Sequence, residues 1–272
     1  MWYLELVQMV QFMKFCVGLS TCLWLLTAPA VAERPLDISF NKAKTYLKSR
    51  VYYDNKRTLY CNAPFDFQNQ MDLPPDFYVN KYVKRSRRME WEHIVPAENF
   101  GRAFSEWRNG DPDCVTQSGK PYKGRRCARK VNSQFRIMEA DMYNLYPSVG
   151  SVNALRSNYN FAELPDNEGT FIKACNFRIY NRKVEPDEFA KGIIARTYLY
   201  FDDEYPIYHI SKQTKRLMEI WNAQYPVTPW ECTRAKRIED IQGNPNKFVK
   251  EPCVEKGWYD DTKSQKNIKH QN

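Results

Sequence analysis

The sequence predicts one α+β domain, disulfide-bonded and rich in helix in its C-terminal third. Apolar residues recur at helical spacing near the N-terminus and repeatedly beyond residue 188, whereas the stretch from residue 81 begins by alternating basic and apolar side chains. An even set of cysteines follows an export leader. No internal repeat and no linker divides the chain, and 43% hydrophobic residues can build a sizeable core.

The leader comes first. Met13–Ala32 has a lone Lys14, an apolar run from Phe15 to Leu26 and a small-x-small end, Ala30-Val31-Ala32. That is a secretory signal peptide, too short in its apolar part to be a stable membrane anchor. Residues 1–12 carry Glu5 and no base, so Met13 is the expected true start within a 1–32 leader. Cleavage after Ala32 removes Cys16 and Cys22 and leaves Cys61, Cys114, Cys127, Cys175, Cys232 and Cys253. Six cysteines in an exported chain read as disulfides, with about 15 pairings open. They contain no C-x-x-C, which argues against a zinc site. The net charge of +9 suits a polyanion such as nucleic acid or an anionic surface, or simply a basic soluble face.

Along the chain, Phe40, Ala43, Leu47 and Val51 fall on one helical face behind Ser39 as N-cap. Residues 58–80 read as loop with short strands, and 81–96 as a strand ended by Pro96. Residues 109–126 lack periodicity and read as an exposed loop. Ile137, Met138, Met142 and Leu145 predict a helix over 136–146 stopped by Pro147, with loop from 147 to 170. Helices are expected over 189–200, 211–225 with Ser211 as N-cap, and 228–242 ending at Gly243. The domain spans 33–255, and the polar residues 256–272 form a flexible tail.

Chemistry concentrates in MEWEHIVPA, residues 89–97, where Glu92 precedes His93, one of three histidines. Neighbours on a strand point to opposite faces, but at a strand end both can converge on one site. A carboxylate suits Mg²⁺, and a neutral imidazole can take a proton from water. Together they suit metal-assisted hydrolysis, although a histidine near a core edge more often only makes hydrogen bonds. Two basic stretches could hold phosphates: Lys81, Lys84, Arg85, Arg87 and Arg88 upstream, and Lys120–Lys130, which contains YKGRRCARK. Each could equally be a solvated charged face.

EWEHIVPAENFG (90–101) resembles the catalytic segment of the bacterial endonuclease I family, exported nucleases of the ββα-metal (His-Me finger) type. The resemblance continues in order through MEADMYNLYPSVGSVNALRSN (138–158), IARTYLYF (194–201) and WNAQYPVTPWECTRAKRIEDIQGNPNKFV (221–249), so it covers residues 40–255. It implies a ββα-metal core and a periplasmic or secreted monomer with no membrane anchor. It also implies cleavage of DNA, and often RNA, with little sequence preference and 5′-phosphate products. The cofactor would be one Mg²⁺, with Ca²⁺ or Mn²⁺ as substitutes. Carried onto this chain, Glu92 and Asn144 would be metal ligands and His93 the general base. The loop after the catalytic segment carries an insertion, with GRRC (124–127) in place of the family's Gly-Arg-cysteine stretch, so Arg125 would hold the cleaved phosphate, with Arg126 second. Lys84, Arg85, Arg87, Arg88, Arg126 and Arg156 would be nucleic-acid contacts. For Asn153, Arg156 and Asn158, organisation of the loop is the other reading, and turn chemistry favours it.

The chain departs from the family pattern in two further places. Tyr143 stands where the family often has histidine, and six mature cysteines replace the usual eight. The resemblance then suggests Cys114–Cys127, Cys175–Cys232 and Cys61–Cys253 as disulfides. A nucleic-acid-binding protein that has lost catalysis is the main alternative. A serine hydrolase lacks its G-x-S-x-G elbow, and an H-E-x-x-H zinc site is absent.

Overall fold

The computed structural model describes residues 38–68 and 70–259. The expected signal peptide, the start at Met13 and the end of the tail lie outside these residues.

The N-terminal helix α1, Phe40–Tyr46, is capped by Ser39, whose hydroxyl accepts from the Lys42 amide, and it runs into a π-turn over Leu47–Val51. Ala43, Leu47 and Val51 are buried along its inner face. The expected strand over 81–96 is shorter than its pattern. Residues Val83–Arg87 form a 3₁₀ turn, and strand β1 is Met89–His93. Tyr82, in the left-handed region at φ 56°, turns the chain into the 3₁₀ turn that carries most of the basic run.

Short helices α2 (Ala97–Gly101), α3 (Ser105–Arg108), α4 (Arg125–Val131) and α5 (Ser133–Ala140) follow. The helix expected to reach residue 146 ends at Ala140. Asp141 then caps a 3₁₀ turn over Met142–Asn144, and strand β2 is Leu145–Val149. Pro147 is therefore inside a strand rather than ending a helix, and its carbonyl accepts from Leu59 N at 2.8 Å. β2 pairs antiparallel with β1, Glu92 opposite Tyr146 and His93 opposite Leu145. Helix α6, Gly150–Arg156, begins directly after β2, in a stretch read from sequence as loop.

Gly150 allows this packing. A Cβ there would lie 2.5 Å from the Arg85 carbonyl oxygen and 2.8 Å from Glu90 Oε1.

A small sheet follows, in the order β3 (Asn160–Phe161), β6 (Lys183–Glu185), β5 (Phe177–Tyr180), β4 (Thr170–Ile172). The helical C-terminal part is as the periodicity predicts: α7 (Glu188–Glu204), α8 (Lys212–Gln224) behind Ser211, and α9 (Pro229–Gln242) ending at Gly243 in the left-handed conformation. A further helix, α10 (Lys247–Glu255), packs beyond it, and Tyr259 is still buried. No helix among the described residues is long and apolar enough to cross a membrane.

The disulfides are Cys61–Cys175, Cys114–Cys127 and Cys232–Cys253. Two of the three expected pairings, Cys175–Cys232 and Cys61–Cys253, are thus corrected. The turn at Gly243 folds α10 back on α9, so Cys232 and Cys253 meet at a Cα–Cα distance of 5.6 Å. Cys61 lies on the segment that crosses β2, against the 3₁₀ turn Lys173–Cys175 at the edge of the small sheet. Its Cα is 4.2 Å from that of Cys175.

Candidate active site

β1 carries the first two functional side chains and ends at them. After His93 the chain bends, and Ile94 N–H donates to the Asn144 carbonyl across the strand pair (3.1 Å). Glu92 and His93 are both buried, 3% and 7% exposed, yet both line a cavity of about 400 Å³ together with Arg85, Arg125, Asn153 and Asn158.

The imidazole of His93 is held on one side. Its Nε2 lies 2.9 Å from the Glu139 carbonyl oxygen, which can only accept, so Nε2 carries the proton and Nδ1 keeps its lone pair. The ring packs against Phe40, with centroids 5.2 Å apart, and more loosely against Phe100. Burial, and next the positive charge of Arg125, push its pKa down to about 4. At neutral pH the ring is a neutral acceptor, the state a general base requires.

Glu92 Oε1 accepts from the Tyr60 hydroxyl (2.9 Å) and from Arg156 Nη1 (2.8 Å). Burial raises its pKa against the opposing pull of Arg156 and Tyr60. Oε2 makes no hydrogen bond among the described residues.

Arg156 is fully buried and also donates to the His93 and Ile94 carbonyls. Nucleic acid cannot reach it, so its assignment as a nucleic-acid contact is corrected. It neutralises Glu92 and ties down the end of β1.

Asn144 is corrected as a metal-ligand candidate. It is completely buried, its Oδ1 accepts from Val95 N–H (2.7 Å), and its Nδ2 donates to the Val95 carbonyl (2.9 Å). Both ends of the amide are spent on the backbone turn after His93. Asn153, on α6, lines the cavity instead. Its Nδ2 donates to Glu90 Oε2 at 3.1 Å, and its Oδ1 makes no hydrogen bond among the described residues. Tyr143 is buried too, and its hydroxyl donates to the carbonyls of Ala235 and Asn244.

Arg125 opens α4 beside the Cys114–Cys127 bond. Its Nε donates to Glu139 Oε1 (2.5 Å), and its buried Nη2 has no partner among the described residues. Arg129 grips the same carboxylate. Burial alone would raise the Glu139 pKa, but Arg129 and Arg125 outweigh it and hold the group below the ordinary carboxylate range. Glu139 thus fixes both His93, through its backbone, and Arg125, through its side chain.

Arg126 points elsewhere and stacks over Tyr122, 4.3 Å from the ring centroid. Arg85 lines the cavity and pairs with Glu90, as does exposed Arg88; Lys84 and Arg87 are exposed on the 3₁₀ turn.

Tyr60, Glu139 and Arg129 are site residues that sequence reasoning missed. Only Arg129 carried a signal, its place in the second basic stretch. Among the described residues no group of three or more His, Cys, Asp or Glu converges as a metal cluster would. A metal there would have at most two such side chains among its ligands.

The family model of Endonuclease I matches residues 37–253. The chain is 35% identical over 224 residues to an extracellular deoxyribonuclease of Aeromonas hydrophila, covering 79% of this chain and 90% of that protein. It is 33% identical over 213 residues to a periplasmic deoxyribonuclease of the same organism, covering 75% and 82%. To an extracellular endonuclease of Pseudomonas fluorescens biotype A it is 43% identical over 235 residues, covering 84% and 92%.

Proposed function

This chain belongs to the endonuclease I family, and on that footing we propose that it is an exported, metal-dependent endonuclease cleaving DNA with little sequence preference. Its relatives are extracellular or periplasmic, which supports the same location here. One observation carries the reading: Glu92, His93, Arg125 and Asn153 line a single cavity, each with a reactive atom left unspent by the fold. The β1–β2 pair with α6 directly behind it supports a ββα-metal core.

A hard divalent ion fits the donor set. Glu92 Oε2 and Asn153 Oδ1 are oxygens without hydrogen bonds on residues lining the same cavity. Two protein oxygens suit Mg²⁺, which usually keeps several waters and is completed by substrate phosphate; Mn²⁺ or Ca²⁺ can use the same ligands. When bound, the ion would supply Lewis-acid stabilisation of charge on the phosphate and on the departing oxygen.

The chain's own residues do the rest. Arg125 Nη2 donates to a non-bridging phosphoryl oxygen. His93 Nδ1 takes one proton from a water, whose oxygen forms the new bond to phosphorus. The P–O3′ bond breaks, the 3′ oxygen of the upstream fragment takes a proton from solvent, the phosphate stays on the 5′ oxygen of the downstream fragment, and His93 returns its proton to solvent. Glu139 holds the base in its reactive tautomer throughout. The contacts address phosphate and not base edges, so selectivity is low and RNA is cut as well as DNA.

Purified mature protein is expected to degrade plasmid in Mg²⁺ and to stop in EDTA, with activity on DNA and RNA gels alike. A gel shift without cleavage in any divalent ion would replace this reading with that of a non-catalytic binding protein.

A further inference from the structure

Beside the catalytic cavity lies a second one, about 480 Å³, lined by Phe40, Lys44, Lys48, Met89, Glu90 and Trp91. Trp91 lines both cavities, so they are consecutive along β1. Among the described residues β1 pairs with β2 alone, along one of its two edges.

The two lysines of this cavity have no carboxylate partner among the described residues. Lys44 and Lys48 stand one helical turn apart, and neither makes an ion pair or side-chain hydrogen bond among the described residues. The Lys44 ammonium sits 4.6 Å from the Phe40 ring centroid, and the same ring carries the guanidinium groups of Arg125 and Arg129 at 5.4 and 6.0 Å. Those two arginines share one carboxylate, Glu139. The carboxylate within the lining, Glu90, is already neutralised by Arg85 and Arg88. Burial, followed by repulsion from Arg129, Lys48 and Arg125, lowers the Lys44 pKa. Trp91 adds a buried indole N–H with no partner among the described residues. Surplus cations, an unspent donor and two aromatic rings form the combination that takes a phosphate together with a nucleoside.

We propose that this cavity is a second nucleotide subsite, in which Lys44 and Lys48 hold a neighbouring phosphate of the bound strand and Phe40 and Trp91 receive its nucleoside. The proposal rests on the nuclease reading and deepens it. The subsite lets the enzyme hold its strand across the cut, and it makes oligonucleotides better substrates than dinucleotides.

The test is binding of fluorescein-labelled pentathymidylate to the mature protein in EDTA, read by anisotropy. Lys44→Ala/Lys48→Ala is compared with Lys42→Ala/Arg50→Ala, which removes equal charge from exposed positions of the same helical segment outside the lining. The first variant is expected to raise Kd by about fivefold or more, the second by less than about twofold. In Mg²⁺ the first variant should raise KM for the same oligonucleotide with little change in kcat. Lys44→Gln/Lys48→Gln, which keeps side-chain bulk, should behave as the alanine pair does. An unchanged Kd, or an equal loss in both alanine pairs, overturns the subsite. Neither outcome touches catalysis, because cleavage by wild type and its loss in His93→Ala are scored separately.

Discussion

Arg156 Nη1 donates to Glu92 Oε1 across 2.8 Å, and both side chains are buried, the carboxylate at the wall of the catalytic cavity. The same guanidinium binds the two carbonyls that follow along the bend, those of His93 and Ile94. The pair therefore fixes the carboxylate and the imidazole backbone in one stroke. Removing Arg156 would strand a buried carboxylate, a loss of about 3–5 kcal/mol. Arg156→Ala is expected to lose that much in denaturant unfolding and to lose cleavage with it. A DNA contact, by contrast, would weaken substrate binding and leave stability unchanged.

Asn144 and Asn153 should separate by phenotype. Asn144→Ala leaves the Val95 amide unpaired and should destabilise by about 1–3 kcal/mol. Asn153→Ala should leave unfolding nearly unchanged and weaken Mn²⁺ binding, followed by titration of the spin signal. Equal metal affinity in wild type and Asn153→Ala would return the ligand question to the sequence.

The cross-links predict their own coupling. Cys61–Cys175 closes a separation of 114 residues and Cys232–Cys253 one of 21, worth about 5 and about 3 kcal/mol by chain entropy. Cys61→Ser and Cys175→Ser should cost the same singly as together, and non-reducing peptide maps should show the 61–175 and 232–253 peptides joined.

Glu204 gives the pH dependence of stability a sign. Burial first, and then the charges of Asp141 and Asp203, raise its pKa to about 7 from an ordinary 4.5. Between those values the folded state holds a proton that the unfolded state has released. The contribution is therefore complete below pH 4.5 and is lost as pH rises through 7. The group is only half-buried, so solvent screening leaves roughly 1–2 kcal/mol. Thermal unfolding from pH 5 to 8 should fall less steeply in Glu204→Gln.

Much of this molecule was legible in its residues, and the misses have physical causes. Ser39, Ser211 and Gly243 announced helix ends because capping is local chemistry. Pro147 misled: a proline that ends helices can also sit in a short two-stranded pairing, and this one accepts a hydrogen bond through its carbonyl. Two asparagines nine positions apart, Asn144 and Asn153, offer the same amide, and only the fold decides which is consumed by the backbone and which lines the cavity. An arginine is ordinarily exposed, so nothing local marked Arg156 as buried. Cysteine spacing cannot choose among pairings that depend on how α10 folds back on α9.

The most direct test is single-turnover plasmid cleavage in Mg²⁺ by His93→Ala, with DNA binding measured in parallel in EDTA. Loss of a general base predicts a fall of about 10²–10⁴ in the cleavage rate with binding retained. Cleavage by His93→Ala at the wild-type rate would contradict the account.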